Sequence, residues 1–573
     1  MGKEYGKTAI IIFLIILALG IYIRFSNFAE ESYWNDDMTT IPTALLWFYP
    51  HSYYPGLAGQ GEPALGNYLI GFGCTLSNED FSKVTQIQPM FYPGRPALIG
   101  KEMVKAESYC HMPMYIFGIL FLIVISILAL MMLDKYSALY AISFYAFSSF
   151  TLQLSRWIHV DMIAYFFASL GLIFLWKFYS KELGSGHGNI FLVLSSFFFS
   201  LALSTKLPAG IFVIFFAFIV LKKYKIQSLS LLKIILKKLN LKISEKIPYD
   251  EKPNILLKAV FYSIISYIIA ILISFEFSLK NLFLVIQKYG SINPEHSFIS
   301  INRQLFLDIY DFMITLNSID TLIFIFSLYI IIRLIFAKRD KNEEFLLYLF
   351  GLFTITLLLF PAMNYTRVLY FFSPAIIFIM ALAFSEKQYS IFTLLRINNR
   401  KIIFMVFILV YITFSFYTSF SSSPQFNPKN QLLCLFDGPE CTIEKLKNFN
   451  NPYGMASKQI SSQLSSIMQE NETFLSSSEM FYYYIRQEDS YELYTFINNV
   501  RNQIGRRPNL DEFIKYFKPK NRELRYIVVN PRIKDADFPE FEQYKANYIP
   551  NYVVIAYKQD AAYIYDIKNL KQR

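Results

Sequence analysis

The chain has 573 residues, 54% of them apolar and only 17% charged, with a mean hydropathy of +0.35 and a net charge of +11. A soluble protein carries about 25% charged residues, and here the apolar ones collect in blocks long enough to cross a hydrocarbon core of about 30 Å as helices. An ordinary soluble domain is therefore excluded, and the basic residues, which stand mostly beside those blocks, read as membrane topology rather than as a nucleic-acid surface.

Lys3 and Lys7 precede an apolar run from Thr8 to Ile23. No small-residue cleavage site follows, so a retained first helix is expected rather than a signal peptide. About eleven transmembrane helices are expected in all, at roughly 8–25, 113–133, 136–153, 160–178, 189–204, 207–221, 254–275, 319–337, 344–361, 369–385 and 402–420. With the N-terminus inside, Asp134-Lys135, the loop 177–189, segment 222–253, the run Lys338-Arg339-Asp340-Lys341 and the stretch 386–401 all fall on the cytoplasmic side. That pattern agrees with the positive-inside rule, since 222–253 alone carries nine Lys. Within it, IQSLSLLKIILKKLNLKI (226–243) reads as an amphipathic helix on an anionic leaflet.

The opposite side receives a long first loop at 26–112, short turns at 154–159 and 205–206, a loop at 276–318, a turn at 362–368 and a polar tail at 421–573. In the tail, RYIVVN (525–530), NYVVIAY (551–557) and AAYIYDI (561–567) read as strands, and 455–469 and 510–517 as helices. The expected architecture is thus a polytopic α-helical membrane region, 1–420, with a small extracytoplasmic α/β C-terminal domain, 421–573. Asn364-Tyr365-Thr366 and Asn471-Glu472-Thr473 are glycosylation sequons on the outer side. Cys434 and Cys441 bracket a short turn, and Cys74 and Cys110 lie in the first loop. If those segments lie outside the cytoplasm, two disulfides follow; otherwise these are four separate thiols.

Charges flanked by apolar sequence are functional candidates in a membrane protein. The outer side collects Asp36 and Asp37 in YWNDDM, Glu62 in GEPALGNYLIG, Arg156 and Asp161 in LSRWIHVDMIAYFF, Lys206 in LALSTKLPAGIFV and Arg367 in NYTRVLYFFSP. Carboxylates act as acid or base, while Lys and Arg grip anions. A phosphate held between Lys206, Arg156 and Arg367 would leave more readily, its developing charge neutralised, as a carboxylate took a proton from an attacking hydroxyl. Each residue also has a plainer reading. Asp161 could favour a helix N-terminus, Lys206 could snorkel, Arg156 could pair with Asp161, and Asp36-Asp37 could be a solvated loop.

Taken in order, these pieces resemble a GT-C class glycosyltransferase of the protein O-mannosyltransferase and aminoarabinose-transferase kind, over roughly residues 8–385. The family's acidic pair matches Asp36-Asp37, its His-Pro-Pro-Leu-Gly-Lys-like motif matches 62–67, and its Ser-Arg…Asp segment matches Ser155-Arg156 and Asp161. Its helix-opening Lys matches Lys206, and its Arg…Tyr…Pro helix matches Arg367, Tyr370 and Pro374. The chain departs from the pattern at Asp37 (for Glu), Glu62 (for His or Lys), Asn67 (for Lys) and His111, near where an Arg often opens the next helix. The resemblance implies inverting transfer of one sugar from a polyprenyl- or dolichyl-phosphate carrier to a hydroxyl of a protein, lipid or glycan.

Under that reading Asp36 is the general base, Asp37 and Glu62 orient it or the acceptor, Lys206, Arg367 and Arg156 hold the phosphate, and Asp161 orients Arg156 or the sugar. No nucleotide-sugar motif is needed, since the donor is already activated, and no cofactor is named by the residues. Glu62 beside two Asp leaves room for a divalent metal, with His51 or His111 as further ligands, although no tight ligand spacing supports one. An oligosaccharyltransferase is the nearest rival, but its Trp-Trp-Asp-Tyr-Gly-like motif is absent, since none of the four Trp lies in the tail. A transporter or flippase of a lipid-linked sugar is a second rival, and no internal repeat of the kind common in transporters is visible. The Ile, Lys, Asn, Tyr and Phe content fits an AT-rich prokaryote of archaeal type, and the chain is expected in its plasma membrane.

Overall fold

A computed structural model describes residues 7–25, 40, 41, 44, 45, 48, 64–87, 97–224 (without 156–157 and 182–185), 253–274, 318–359, 373–421 (without 397–398) and 457–573 (without 477–478, 486, 507, 532–539 and 557–558). Asp36, Asp37, Glu62, Arg156, Arg367, Tyr370, His51, Cys434, Cys441, the first sequon and nearly all of segment 222–253 lie outside the described residues.

A helix stands over each of the eleven apolar stretches. These are α1 Lys7–Phe25, α3 Lys101–Met132, α4 Lys135–Phe147, α5 Asp161–Ser180, α6 Gly186–Thr205, α7 Ile211–Lys223, α8 Pro253–Ser274, α9 Ser318–Phe336, α10 Lys341–Leu359, α11 Ser373–Ala381 and α12 Arg400–Ser421; α2, Ala64–Thr75, lies in the first loop. Among the described residues five helical stretches are long and apolar enough to cross a membrane: Thr8–Phe25, Lys101–Met132, Asp161–Ser180, Gly188–Thr205 and Ile319–Phe336. Val260–Ile273 and Ser373–Phe384 are shorter apolar helices.

Two boundaries differ from the sequence reading. The second long helix starts at Lys101, not near 113, so His111 and Pro113 are internal to it. Its first turns carry Lys101, Glu102, Lys105 and Glu107, a charged stretch that reads as loop when apolar run length is the criterion. The first loop accordingly ends near Gly100, and it contains α2 and a short hairpin of β1 (Thr85–Ile87) with β2 (Ala97–Ile99). The third stretch breaks after Phe147, and a separate helical turn follows at Ser149–Leu154.

Local chemistry explains several element ends and contacts. The Asp134 carboxylate caps α4 by accepting from the Tyr136 and Ser137 amides at 3.1 and 3.2 Å. Gly20 brings α1 against α4, since a Cβ there would lie 2.9 Å from the Ala146 Cβ. Beside it the fully buried Arg24 donates to the Gly20, Ala146 and Tyr145 carbonyls at 2.9, 3.1 and 2.9 Å. A guanidinium there needs such acceptors, because an unsatisfied charge inside the bundle is expensive.

The C-terminal part has its own apolar core around Phe474, Phe481, Ile527, Val528 and Ile564. Its four-stranded sheet runs β3 (Glu472–Ser476), β4 (Glu523–Val529), β6 (Gln559–Asp566), β5 (Tyr552–Ala556). β3 and β4 are parallel and the other pairs antiparallel. The parallel pair needs a crossover, which the helices α14 (Glu479–Ile485), α15 (Gln487–Ile504) and α16 (Leu510–Tyr516) supply, after α13 (Ser457–Ile467). β4, β5 and β6 are the three strands the sequence reading anticipates, and β3 is an addition. At the second sequon Asn471 is exposed, while the Thr473 hydroxyl is buried and donates to Asp489 at 2.6 Å.

Candidate functional site

α5 and α6 are consecutive and pack along each other as an antiparallel hairpin. The start of α5 and the end of α6 therefore meet at one end of the bundle, whichever way the bundle is oriented. Asp161 is the first residue of α5, and Lys206 follows the last residue of α6. Each charge sits where the helix macrodipole favours it, the carboxylate at an N-terminus and the ammonium at a C-terminus. At Lys206 the backbone becomes extended and enters a tight turn, Leu207–Gly210, with Pro208 near its start. The Lys206 amide still donates to the Ala202 carbonyl at 2.9 Å, which holds the side chain at the helix end.

The two side chains are buried, 1% and 8% exposed, and the Lys206 ammonium donates to Asp161 Oδ1. His159 Nδ1 stands 2.9 Å from the other carboxylate oxygen, Asp161 Oδ2. Buried charge of this kind persists only when paired. An ammonium has three N–H donors, and the described contacts commit one of them to Asp161.

A third element closes on the pair. α2 carries Gly66, where a Cβ would fall 2.5 Å from Val160 Cγ1 and 3.0 Å from Thr205 Cγ2. Val160 and Thr205 are the residues immediately before Asp161 and Lys206. A glycine at 66 is what lets three segments converge there. A small apolar cluster lies alongside, made of Ile41, Leu45, Ile70, Cys74, Cys110, Val160 and Ile163 among others. Cys74 and Cys110 form a disulfide that ties the end of α2 to α3.

From that disulfide, α3 leads to a contact with the C-terminal part. Glu107, 2% exposed, accepts from Tyr484 Oη at 2.6 Å and from Lys458 Nζ at 3.2 Å. This junction is not visible in the sequence, because Glu107 looks like one more charge in a polar loop.

Of the residues expected at the site, then, the structure brings Asp161 and Lys206 into direct contact. It adds His159, whose only sequence signal is its place two residues before Asp161. Pro374 is buried in α11. His111 is buried inside α3 rather than at a helix start. Among the described residues no group of three or more His, Cys, Asp or Glu side chains is arranged to hold a metal ion.

Comparison with known proteins adds a sequence match within this region. The family model of dolichyl-phosphate-mannose-protein mannosyltransferases matches residues 105–246, about a quarter of the chain, which include His159, Asp161 and Lys206. No curated protein sequence matches. Among solved structures, ArnT from Cupriavidus metallidurans in the apo state is 12% identical with a TM-score of 0.44, covering 96% of this chain and 97% of that one. The same protein bound to undecaprenyl phosphate gives 12% identity and a TM-score of 0.40, with 98% of each chain covered. Archaeal oligosaccharyltransferase AglB from Archaeoglobus fulgidus, in complex with an inhibitory peptide and a dolichol-phosphate, gives 13% identity and a TM-score of 0.44, covering 91% of this chain and 69% of that one. The chain thus carries, in the segment that builds its buried ion pair, the sequence pattern of a membrane glycosyltransferase family.

Proposed function

We propose that the protein transfers a single sugar from a polyprenyl- or dolichyl-phosphate carrier to an acceptor hydroxyl, with inversion, on the outer side of the membrane. The observation that carries this reading is the buried Asp161–Lys206 pair, held inside the segment that matches the mannosyltransferase family. In this mechanism the acceptor oxygen attacks the anomeric carbon. The bond from that carbon to the phosphate oxygen breaks, and the lipid phosphate departs with the electron pair. Asp36 takes the acceptor proton, while Asp37 and Glu62 orient the acceptor. Lys206 turns its remaining N–H donors to the phosphate, Arg156 and Arg367 complete the grip, and Asp161 keeps the ammonium aimed.

In support, the positive-inside pattern of the sequence, read with eleven crossings, assigns residues 36, 62, 156, 161, 206 and 367 to the outer side. The same pattern puts 421–573 outside the cytoplasm as a separate domain. The acceptor class is a protein, lipid or glycan hydroxyl.

The test is transfer from labelled polyprenyl-phosphate sugars by the full chain in lipid nanodiscs. We expect turnover with the native chain and its loss in Asp36→Asn, by about 10² to 10⁴ if the group is a positioned base. Undiminished transfer in that variant removes Asp36 from the mechanism. Movement of the lipid-linked sugar across the bilayer without transfer would replace the enzyme reading with a flippase.

A further inference from the structure

We infer that Asn67 is a sugar-binding residue: its side-chain amide hydrogen-bonds a hydroxyl of the transferred sugar beside the Asp161–Lys206 pair. The inference rests on the donor reading above and deepens it.

Asn67 is 1% exposed, and neither its Oδ1 nor its Nδ2 has a hydrogen-bond partner among the described residues. A buried amide offers two donors and an acceptor and is costly when none is used, so proteins rarely keep one without a purpose. Its position on α2 is well defined. Gly66, the preceding residue, abuts Val160 and Thr205, and Gly71 abuts the carbonyl of Ala44, 2.3 Å from where a Cβ would be. Residues four apart on a helix differ by about 40° in direction and about 6 Å in height. Asn67 therefore projects toward the side on which the segment around Ala44 lies, one turn closer to the Val160–Thr205 contact. That is the corner between the backbone at Ala44 and the Val160–Thr205 contact. Ser204, two residues before Lys206, has a buried hydroxyl that is likewise without a partner among the described residues.

The chemistry of these groups selects the ligand. A phosphate oxygen is an acceptor that seeks cations, and Lys206 is present for it. An uncharged amide suits a group that both donates and accepts. Sugar hydroxyls do both, and they enter the site attached to the phosphate.

Two measurements on the full chain in nanodiscs test this, with Asn67→Leu and Asn67→Ala compared with the native protein. The first is thermal unfolding. Removing an unpaired buried amide should leave the midpoint unchanged or raise it, whereas an amide that braces the fold would lower it. The second is binding of two probes, polyprenyl phosphate without sugar and a polyprenyl-phosphate-linked hexose. The variants should bind the sugar-free probe within twofold of native and the sugar-bearing probe roughly tenfold more weakly, the usual worth of one lost hydrogen bond. Equal weakening for both probes, unchanged binding of both, or a lowered midpoint overturns the role of Asn67 while leaving the donor reading in place. Failure of the native protein to bind either probe overturns the donor reading and this inference with it.

Discussion

Replacing Asp161 by Asn should destabilise the protein by about 3–5 kcal/mol, the usual cost of stranding one partner of a buried ion pair. The magnitude follows from the burial of both side chains and the direct contact between them. The amide keeps the size of the carboxylate but not its charge, so the Lys206 ammonium is left desolvated with an uncharged neighbour. Lys206→Met leaves the carboxylate stranded in its turn, with His159 at 2.9 Å as the nearest described cationic candidate. The double variant removes both charges and should recover most of the loss, because uncharged groups of similar volume replace buried pairs at little or no cost. A double-mutant cycle on thermal and denaturant unfolding in detergent should therefore show a coupling of about 2 kcal/mol or more. Sugar transfer behaves differently: every variant lacking Lys206 should stay inactive, including the refolded double one. A cycle with no coupling, or a single Asp161→Asn variant as stable as the native chain, would refute the claim that this pair is desolvated and mutually dependent.

Four further outcomes follow. Converting Cys74 and Cys110 to Ser should cost about 4 kcal/mol by the loop-entropy relation for a separation of 36 residues, read as a lower unfolding midpoint and altered non-reducing gel mobility. Glu107→Gln should loosen the C-terminal part from α3, seen as faster amide exchange around Lys458 and Tyr484 with the unfolding of the sheet itself unchanged. In the C-terminal sheet, burial pushes the Asp566 carboxyl up, but its hydrogen bonds and ion pair with Arg525 outweigh that and hold it below the usual carboxylate value. A depressed carboxylate contributes stability that is complete above the unfolded value near 4 and is lost as pH falls below it, so an acid titration should weaken the sheet there and Asp566→Asn should flatten the profile. Gly66→Val should abolish transfer, because a branched side chain cannot fit where even a Cβ meets Val160 at 2.5 Å; normal activity in that variant would show that α2 does not close on the pair.

Much of this was readable in advance because membrane sequences penalise charge so heavily. Asp161 and Lys206 stand out for interrupting apolar runs, and the strands β4, β5 and β6 stand out as dense stretches of Val, Ile and Tyr. What stayed hidden depends on tertiary contact. His159 carries no formal charge in the sequence count and sits between Ile158 and Val160, so nothing marks it before Asp161 is placed beside it. Gly66 reads only as part of a loose motif until its missing Cβ is set against Val160. Glu107 and the early start of α3 were obscured by the charged residues of that helix's first turns. β3, Glu-Thr-Phe-Leu-Ser, is short and polar at both ends, and its strand character comes from pairing with β4.

The α5–α6 hairpin has a consequence for how the chain enters the membrane during synthesis. A lone aspartate or lysine costs about 2.5–3.5 kcal/mol to insert at a helix centre and less toward a helix end, where Asp161 and Lys206 stand. Here the two charges belong to helices made one after the other and end up against each other. The translocon can thus release the hairpin with the Asp161 and Lys206 charges already paired, before any later helix has been translated.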